Sequence, residues 1–449
     1  MYQLRPLLLF SLGVFMTAVR GDDPAASKDT IPDVNFDLEG EHTGELPSPW
    51  EGPSHCVSGN HCLYFNPAGN DHNGQVLITT PNYAYLTATF PKITSETQIS
   101  PDSFHLAPIP GKGNGFVADR LIKKGEVIMQ RQPSFLVYAD AHIDMKPEVQ
   151  EKIYQTALSK LSKDAQEKFL AQFGDGVRTK IDKNSFRIVV DPSGDKDSGH
   201  LGVFVDVSGF NHDCRPNVHY RITNTTHTTV AVRDIHPGEE LTISYIYGIA
   251  RKSTRQKELQ DWGFECTCSQ CTLNSLEAAA SDARVKEIKR LEEDIEEKMS
   301  MRGEEIKPEM GGKLVEMYLE EKLFAYLAPT YVRAALIYSM FGNKAKAKAY
   351  AEEAVGALTR EYGTHAKDIQ SMRELAADVK GHWSWGIKVV NEDKTEQKKK
   401  GETWKLGQGK GKKNETVKAE AKKEKQVTEK MGKKTDKKVK KVKAKKDEL

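Results

Sequence analysis

The sequence has few cysteines, almost no net charge and modest hydrophobic content. Six cysteines in 449 residues exclude a small scaffold built on disulfides. A net charge of +2, from 66 basic and 64 acidic side chains, indicates neither a nucleic-acid-binding protein nor an acidic shell. The length is enough for two or three domains, but 38% hydrophobic residues and a mean hydropathy of −0.59 are low for a wholly folded chain.

The charge is unevenly distributed along the chain. Residues 391–449 contain 22 lysines and 11 acidic residues, a net charge of +11, which leaves −9 for the preceding 390 residues. This lysine-rich segment is of low complexity and shows no apolar period, so it predicts a disordered tail. The sequence therefore predicts a mildly acidic folded body joined to a basic tail.

Both ends of the chain match the patterns of targeting signals. A basic start, an apolar run from Pro6 to Val19 and a polar exit predict a secretory signal peptide over residues 1–21. The run is too short to span a bilayer, which needs about 20 apolar residues. The last four residues, Lys446-Asp447-Glu448-Leu449, are a KDEL signal for retrieval to the endoplasmic reticulum.

Together these signals predict a soluble protein of the endoplasmic-reticulum lumen, with the KDEL retrieval receptor as a partner and no membrane span in the mature chain. Asn224 and Asn414 then begin usable N-glycosylation tripeptides. A start at Met16 would remove most of the apolar run, and the basic tail would then serve nuclear entry or nucleic-acid contact. In the lumen, nucleic-acid binding is not expected.

Residues 22–100 are rich in Pro, Gly, Asn and Ser, which predicts a loop-rich extension with one short strand from Gln75 to Thr80. Cys56 and Cys62 lie close together in this segment. In an oxidising compartment they are expected to form a disulfide. Two free or separately buried thiols are the alternative.

Residues 101–250 alternate short β-type runs with turn signals, interrupted by a helical insert from Lys146 to Phe173. The runs begin at Phe116, Glu126, Val203, Val218, Thr229 and Leu241. This pattern predicts an α+β fold with several small sheets, not a doubly wound sheet.

Residues 276–390 are helical in pattern. Small and aromatic residues around the Gly342-Asn343 turn predict two antiparallel helices that resemble a tetratricopeptide hairpin. Because only one such unit is evident, a plain helical bundle is the alternative.

Three motifs carry chemistry only weakly when each is taken alone. Gly111 to Gly115 precedes a strand without a nucleotide-binding helix after it, so a plain turn is the simpler interpretation. Asn211 to Asn217 contains an amide, an imidazole and a thiol, but an Asx-type turn explains it as well. Gly238 to Tyr245 is a turn followed by a strand that ends in a tyrosine. A core aromatic residue with a satisfied hydroxyl would explain Tyr245 as well.

The fourth motif is more specific. Cys266, Cys268 and Cys271 are poor disulfide partners for each other but suit a tetrahedral metal ion, and Cys214 is the remaining thiol outside the N-terminal pair. Four thiolates predict a closed, structural zinc site formed by the segment 251–275 together with Cys214. Oxidised thiols are the competing interpretation, and a luminal location strengthens it.

Taken in order, these motifs resemble the SET-domain protein lysine methyltransferases, in particular the SET-and-MYND-like branch that has a helical C-terminal domain. The resemblance covers about Pro101 to Leu273, as a SET domain followed by a post-SET segment, and loosely the helices to Ile387. It implies an S-adenosylmethionine-dependent enzyme that acts on a lysine of a protein substrate.

The resemblance also implies roles for individual residues. Gly113, Asn114 and Gly115 would line the cofactor pocket with backbone, Asn211 and His212 would hydrogen-bond the cofactor, and Phe264 would stack on its adenine. Tyr245 would be the catalytic residue, where cofactor and lysine meet, and Trp262 would wall the lysine channel. Cys214, Cys266, Cys268 and Cys271 would bind zinc.

The chain also departs from the family. No MYND-type cluster of Cys and His lies between Gln130 and Asn211, and the N-terminal extension has no recognisable counterpart. The family is usually nuclear or cytosolic and acts on histones, which a luminal enzyme would not meet. Two alternatives follow: a non-catalytic adaptor that binds a luminal partner, or a nuclear or cytosolic histone lysine methyltransferase if the signal peptide is not used.

Overall fold

The structure is a computed structural model that describes residues 49–57, 60–90, 101–191, 194, 196–300 and 306–389. The predicted signal peptide, the alternative Met16 start, Asn414 and the lysine-rich segment with the predicted KDEL signal lie outside the described residues. The strands are β1 (Glu51–Val57), β2 (His61–Asn66), β3 (Gln75–Thr79), β4 (Phe104–Ile109), β5 (Gly113–Ala118), β6 (Val127–Arg131), β7 (Phe135–Tyr138), β8 (Ser185–Val189), β9 (Gly199–Val203), β10 (Asn211–His212), β11 (Val218–Thr223), β12 (Thr226–Ala231) and β13 (Glu240–Ile243).

Within the described residues the helices divide into three groups: two in the N-terminal segment, four between β7 and β8, and six after β13. They are α1 (Gly69–His72), α2 (Pro81–Ala88), α3 (Ala139–Asp144), α4 (Pro147–Leu158), α5 (Lys163–Leu170), α6 (Gly176–Asn184), α7 (Lys252–Gln260), α8 (Ser275–Ser300), α9 (Glu309–Glu320), α10 (Leu327–Met340), α11 (Lys344–Tyr362) and α12 (Ile369–Ala377). In the described part of the chain, no helix has both the length and the apolar character needed to cross a membrane.

The strands form three sheets, which confirms the predicted α+β class. Their orders are β1-β2-β3-β7-β9-β8, β10-β13-β5-β4 and β11-β12-β6. Each of the six predicted β runs in residues 101–250 overlaps an observed strand. Short apolar runs bounded by Gly, Pro and Asn turns therefore located these strands correctly, because turn residues end a strand where the chain must reverse.

The N-terminal segment is more ordered than its composition predicts. β3 pairs in parallel with β7, with Val76 opposite Phe135. The N-terminal segment therefore shares one sheet with residues 101–250, which we call the SET-like region. Val76 and Ile78 pack in one core, while Leu77 packs in another. The predicted strand from Gln75 to Thr80 is confirmed as β3, but β1, β2, α1 and α2 show more regular structure than a loop-rich extension.

A disulfide joins Cys56 and Cys62, as predicted. The two residues lie opposite each other on β1 and β2. β1 is almost wholly exposed at the edge of the six-stranded sheet, so the disulfide fastens an edge strand with little core of its own.

The helical insert between β7 and β8 contains α3 to α6 and extends beyond the predicted Lys146–Phe173 at both ends. Its buried side chains Ile153, Tyr154 and Phe169 pack against Phe135 of β7 in one apolar core. The insert is therefore fixed on one face of the large sheet.

The C-terminal helices α8 to α12 share one large apolar core. α10 and α11 pack on each other across the predicted Gly342-Asn343 turn, where Gly342 has a φ of +72° and the Asn343 side chain accepts a hydrogen bond from the Lys346 amide. Tyr338 and Tyr350 stack across the pair with ring centroids 5.6 Å apart. The predicted helical hairpin is confirmed.

A buried ion pair joins the C-terminal helices α8 to α12, the helical region, to the SET-like region. Arg215 follows β10, and its guanidinium donates to a carboxylate oxygen of Glu321 at 2.9 Å and to the Glu321 carbonyl at 2.6 Å. The side chains are 3% and 1% exposed. The Ser281 hydroxyl and the Arg284 guanidinium also donate to the Glu321 carboxylate. This contact holds the helices against the loop that carries Cys214.

Candidate active site and metal centre

One side of the candidate site is formed by three neighbouring strands. β10 lies beside β13, and β13 pairs with β5. The Asn211 amide donates to the Asn114 carbonyl at 3.1 Å and to a Glu240 carboxylate oxygen at 2.9 Å. A Cβ atom on Gly115 would lie 2.6 Å from the Asn211 amide nitrogen, which is too close for any real contact. Glycine at 115 therefore allows Asn211 to approach β5.

His212 connects this edge to Tyr245 and to the cysteines. Its Nδ1 accepts a hydrogen bond from the Tyr245 backbone N–H at 3.0 Å, and its Nε2 lies 3.3 Å from the Cys214 sulfur. Burial lowers the pKa of His212 to about 3, so the ring is neutral. Since Nδ1 accepts, the single ring proton lies on Nε2 and points toward Cys214.

Tyr245 follows β13 and is surrounded by aromatic rings. Its hydroxyl donates to the Phe210 carbonyl at 2.7 Å. The rings of His212, Trp262 and Phe264 have centroids 5.4, 6.1 and 6.3 Å from the Tyr245 ring. Burial, helped by Glu240, raises the pKa of Tyr245 above its usual range, so the phenol keeps its proton. Tyr245 is therefore suited to orient a group and not to remove a proton.

The four late cysteines converge. The sulfurs of Cys214, Cys266, Cys268 and Cys271 all lie within 4.8 Å of one another, and all four residues are buried. Those of Cys214 and Cys271 are 3.6 Å apart. A tetrahedral zinc ion with bonds of about 2.3 Å holds its sulfurs about 3.8 Å apart. The spacing fits a shared metal ion, whereas a disulfide would need about 2.05 Å.

The surroundings of the cysteines also suit a closed centre. Ile246 and Leu259 pack against them and limit water access. Asp213 lies beside Cys268, and burial, together with that cysteine, raises the pKa of Asp213 to about 6.

A cavity of about 3090 Å³ brings most of the predicted site residues together. Its wall includes Gly113, Asn114, Asn211, His212, Tyr245, Trp262 and Phe264. Gly115 is buried beneath Asn211 and does not line the cavity. The cavity continues between the SET-like region and the C-terminal helices, where Tyr247, Tyr326 and Val332 line it.

The structure adds residues to the site that sequence reasoning missed. Glu240 and the Phe210 carbonyl fix Asn211 and Tyr245, and Phe173 of the helical insert lies next to Gly263 beside Trp262. Glu240 stands inside the Gly238–Tyr245 motif and so was open to prediction. A backbone carbonyl and a contact across 90 residues leave no signal in the sequence.

Comparison with known protein families identifies the same stretch of the chain that forms the candidate site. The model of the SET domain family matches residues 113–246. The chain therefore contains a SET domain, and the matched segment lies within the predicted residues 101–250.

Two relatives among known proteins are named as lysine methyltransferases. The histone-lysine N-methyltransferase set5 of Schizosaccharomyces pombe is 33% identical over 203 residues, covering 43% of this chain and 57% of that protein. The N-lysine methyltransferase SMYD2 of Mus musculus is 29% identical over 177 residues, or 37% of this chain and 39% of that protein. The chain thus spans little more than half the length of the first relative and less of the second.

Among solved structures, the methyltransferase domain of human histone-lysine N-methyltransferase SETMAR is 18% identical, covering 32% of this chain and 44% of that one. The TM-score of 0.20 is too low for any argument about the fold.

Proposed function

We propose that the protein is an S-adenosylmethionine-dependent protein lysine N-methyltransferase with a structural zinc site. The observation that carries the proposal is the position of Tyr245, whose anchored hydroxyl lies in the same cavity wall as Asn211, His212 and Phe264. The SET domain match and the lysine methyltransferase names of its relatives support the same activity.

The residues at the cavity edge fit the cofactor. Gly113 has a φ of +78° and open space where a side chain would stand, so its backbone is accessible to a ligand. Asn211 is held rigidly by two hydrogen bonds, and the Phe264 ring is 37% exposed at the cavity, which suits stacking. When bound, the sulfonium of S-adenosylmethionine supplies an electrophilic methyl group.

The remaining requirements fall on the protein. A lysine amine has an unperturbed pKa of about 10.4 and must be neutral to attack, which a partly apolar channel favours. Trp262 and Tyr245 supply apolar surface that excludes water there. The Tyr245 hydroxyl proton is used by the Phe210 carbonyl, so its oxygen lone pairs are available to orient the amine and to polarise methyl C–H groups. Alignment of this kind contributes up to about 7–11 kcal/mol in favourable cases.

The substrate of the proposed reaction is a lysine side chain of a protein. We further propose that the reaction takes place in the endoplasmic-reticulum lumen, with recycling by the KDEL receptor. The Cys56–Cys62 disulfide supports an oxidising compartment, because such bonds are rare in the cytosol. Asn224, in the turn between β11 and β12, is then a glycosylation site of the folded domain.

Calorimetry with S-adenosylmethionine and labelled methyl transfer into luminal and nuclear extracts test the activity. Tyr245→Phe should lower turnover by about 10²-fold or more, the scale of a lost polar group at a reacting centre, while sparing cofactor uptake. Tyr350→Phe, the same change in the helical hairpin, is the matched control and should retain full turnover. Cofactor uptake without transfer to any extract, or no uptake at all, would favour the adaptor.

The location is tested separately by endoglycosidase treatment of the native protein. We expect a mobility shift that Asn224→Gln reduces. An unglycosylated nuclear product would contradict the luminal proposal and favour the histone methyltransferase alternative. It would not contradict the proposed activity.

A further inference from the structure

Glu321 is a buried carboxylate of the helical region with an unusual set of partners. It directly follows α9, and its carboxylate accepts hydrogen bonds from Arg215 at 2.9 Å, Ser281 at 2.8 Å and Arg284 at 2.7 Å. A buried ion pair is by itself weak evidence for stability, because the cost of desolvation offsets the attraction. What the partners of Glu321 hold in turn indicates a further role.

The first partner, Arg215, holds two backbone segments of the candidate site. Its Nη1 donates to the carbonyls of Cys214 and Gly248, both at 2.8 Å. Gly248 lies three residues after Tyr245 in the sequence. Because the guanidinium is a planar fork, the bonds of its Nε and Nη2 to Glu321 fix the direction in which Nη1 points. Glu321 thereby sets the distance between the first cysteine and the end of the segment that carries Tyr245.

The second partner, Ser281, leads to the other cysteine segment. Gln270 stands between Cys268 and Cys271, and its side-chain amide donates to the Ser281 hydroxyl at 2.6 Å. That hydroxyl donates to the carboxylate of Glu321, and the Ser281 residue is buried, so water does not compete for it. One carboxylate of the helical region is therefore hydrogen-bonded, directly or through one side chain, to both segments that carry the late cysteines.

Glu292 shows a similar pairing without these connections. It lies on α8 and accepts hydrogen bonds from the buried Arg333 at 3.3 Å and from the Tyr318 hydroxyl at 2.7 Å. Both partners belong to the helical region itself. The two carboxylates resemble each other in pairing with a buried arginine and differ in what that arginine touches, so Glu292 is a matched control for Glu321.

We propose that Glu321 is a positioning residue for the four-cysteine metal centre, acting through Arg215 and Ser281. Groups that hold metal ligands from outside orient them and tune the affinity for the metal. The helical region is thus part of the metal-binding unit, because it supplies the carboxylate that brings the two cysteine segments together. This inference rests on the zinc site of the proposed function.

The test compares Glu321→Gln with Glu292→Gln in the full-length protein. Each change keeps the shape of the side chain and removes its charge, so both variants should melt at a lower temperature than the parent. In chelator competition, run well below each melting temperature, Glu321→Gln should bind zinc about tenfold more weakly, the scale seen for lost partners of metal ligands. Glu292→Gln should bind zinc as the parent does. Parent-like zinc affinity in Glu321→Gln, or an equal loss in both variants, would overturn the proposal.

The double variant Arg215→Met/Glu321→Met separates positioning from stability. Replacing a buried ion pair by apolar side chains is often neutral for stability, and Arg284 keeps Glu320 as a partner at 3.1 Å. We expect a melting temperature near that of the parent, but zinc binding still about tenfold weaker, because methionine cannot donate to the Cys214 and Gly248 carbonyls. Recovery of full zinc affinity would show that the pair acts through stability alone and would contradict the proposal.

Ser281→Ala keeps the proposal testable if neither of these variants folds. It removes one neutral donor from Glu321 and the acceptor of Gln270, and it should weaken zinc binding in the same direction by a smaller factor. Parent-like zinc affinity in Ser281→Ala would then overturn the proposal. A parent protein without stoichiometric zinc would refute the metal centre itself and this inference with it, whereas zinc in the parent with equal affinities in all variants would refute the inference alone.

Discussion

Two groups of cysteines lie in different regions of this chain and differ in chemical state. Cys56 and Cys62, six residues apart, are joined in a disulfide across two paired strands. Cys266, Cys268 and Cys271 are closer still in sequence, yet their sulfurs remain unbonded and gather around Cys214. Spacing alone therefore does not determine the state: strand pairing places two side chains opposite each other, whereas the late turn directs three sulfurs toward a remote fourth.

The largest expected effect comes from removing that remote thiol. Cys214→Ser should abolish stoichiometric zinc binding and lower stability by several kcal/mol, since zinc–thiolate binding supplies about 10–16 kcal/mol toward folding. Zinc analysis and thermal unfolding of the purified chain measure both effects. Cys62→Ser is the control for loss of a cysteine and should retain zinc. If the Cys214→Ser protein still bound one zinc ion per chain, Cys214 would not be a required zinc ligand. The contrast between a disulfide pair and a metal-binding group that includes Cys214 would then be wrong.

A smaller effect is expected from opening the disulfide. The free energy of unfolding of the double variant Cys56→Ser/Cys62→Ser should be about 2–3 kcal/mol lower than that of the parent. The effect is modest because the disulfide closes only a short loop. Denaturant titration checks this, and zinc content and cofactor uptake should stay at parent values. Loss of zinc in this variant would mean that the two regions are coupled.

The last effect is absent at neutral pH and concerns the acid stability of the sheet that carries the disulfide. Cys62 pairs with Thr79, whose hydroxyl lies 2.8 Å from Nε2 of the buried His200. Burial lowers the pKa of His200 to about 4, so the unfolded chain binds a proton that the folded chain does not between about pH 6.5 and 4. Stability should be full above pH 6.5 and fall through this window, by up to about 3 kcal/mol from this residue.

Urea titrations at several pH values test the effect. His200→Gln should flatten the pH dependence, and His365→Gln, at an exposed position, should leave it unchanged. Parallel pH profiles for His200→Gln and the parent would show that another group is responsible.

Prediction from sequence succeeded where the signal was local. The β runs, the Gly342-Asn343 hairpin and the disulfide each depend on residues within a few positions of one another. Cys214 was assigned to the late trio because few other thiols were available, and the structure brings the four together. Zinc and the cofactor contacts stay predictions.

Prediction failed where a partner is distant. β3 was predicted, but β1 and β2 were missed, because short runs in a Pro- and Gly-rich segment become strands only when β3, itself paired with β7, provides an edge to pair with. Glu321 lies 106 residues from Arg215, and neither residue type at those positions indicates the pair. Gly115 was assigned to the pocket wall, but its lack of a side chain serves the approach of Asn211.

By itself the sequence determined the chemical groups and their order: three clustered thiols, one remote thiol, the Asn211-His212 pair and Tyr245. Only the tertiary structure decided which of these groups meet, that Tyr245 keeps its proton, and that Arg215 is buried against Glu321. The reason is physical: residue identity sets what a group can do, whereas burial and neighbouring charge, which depend on distant segments, set the state in which it does it.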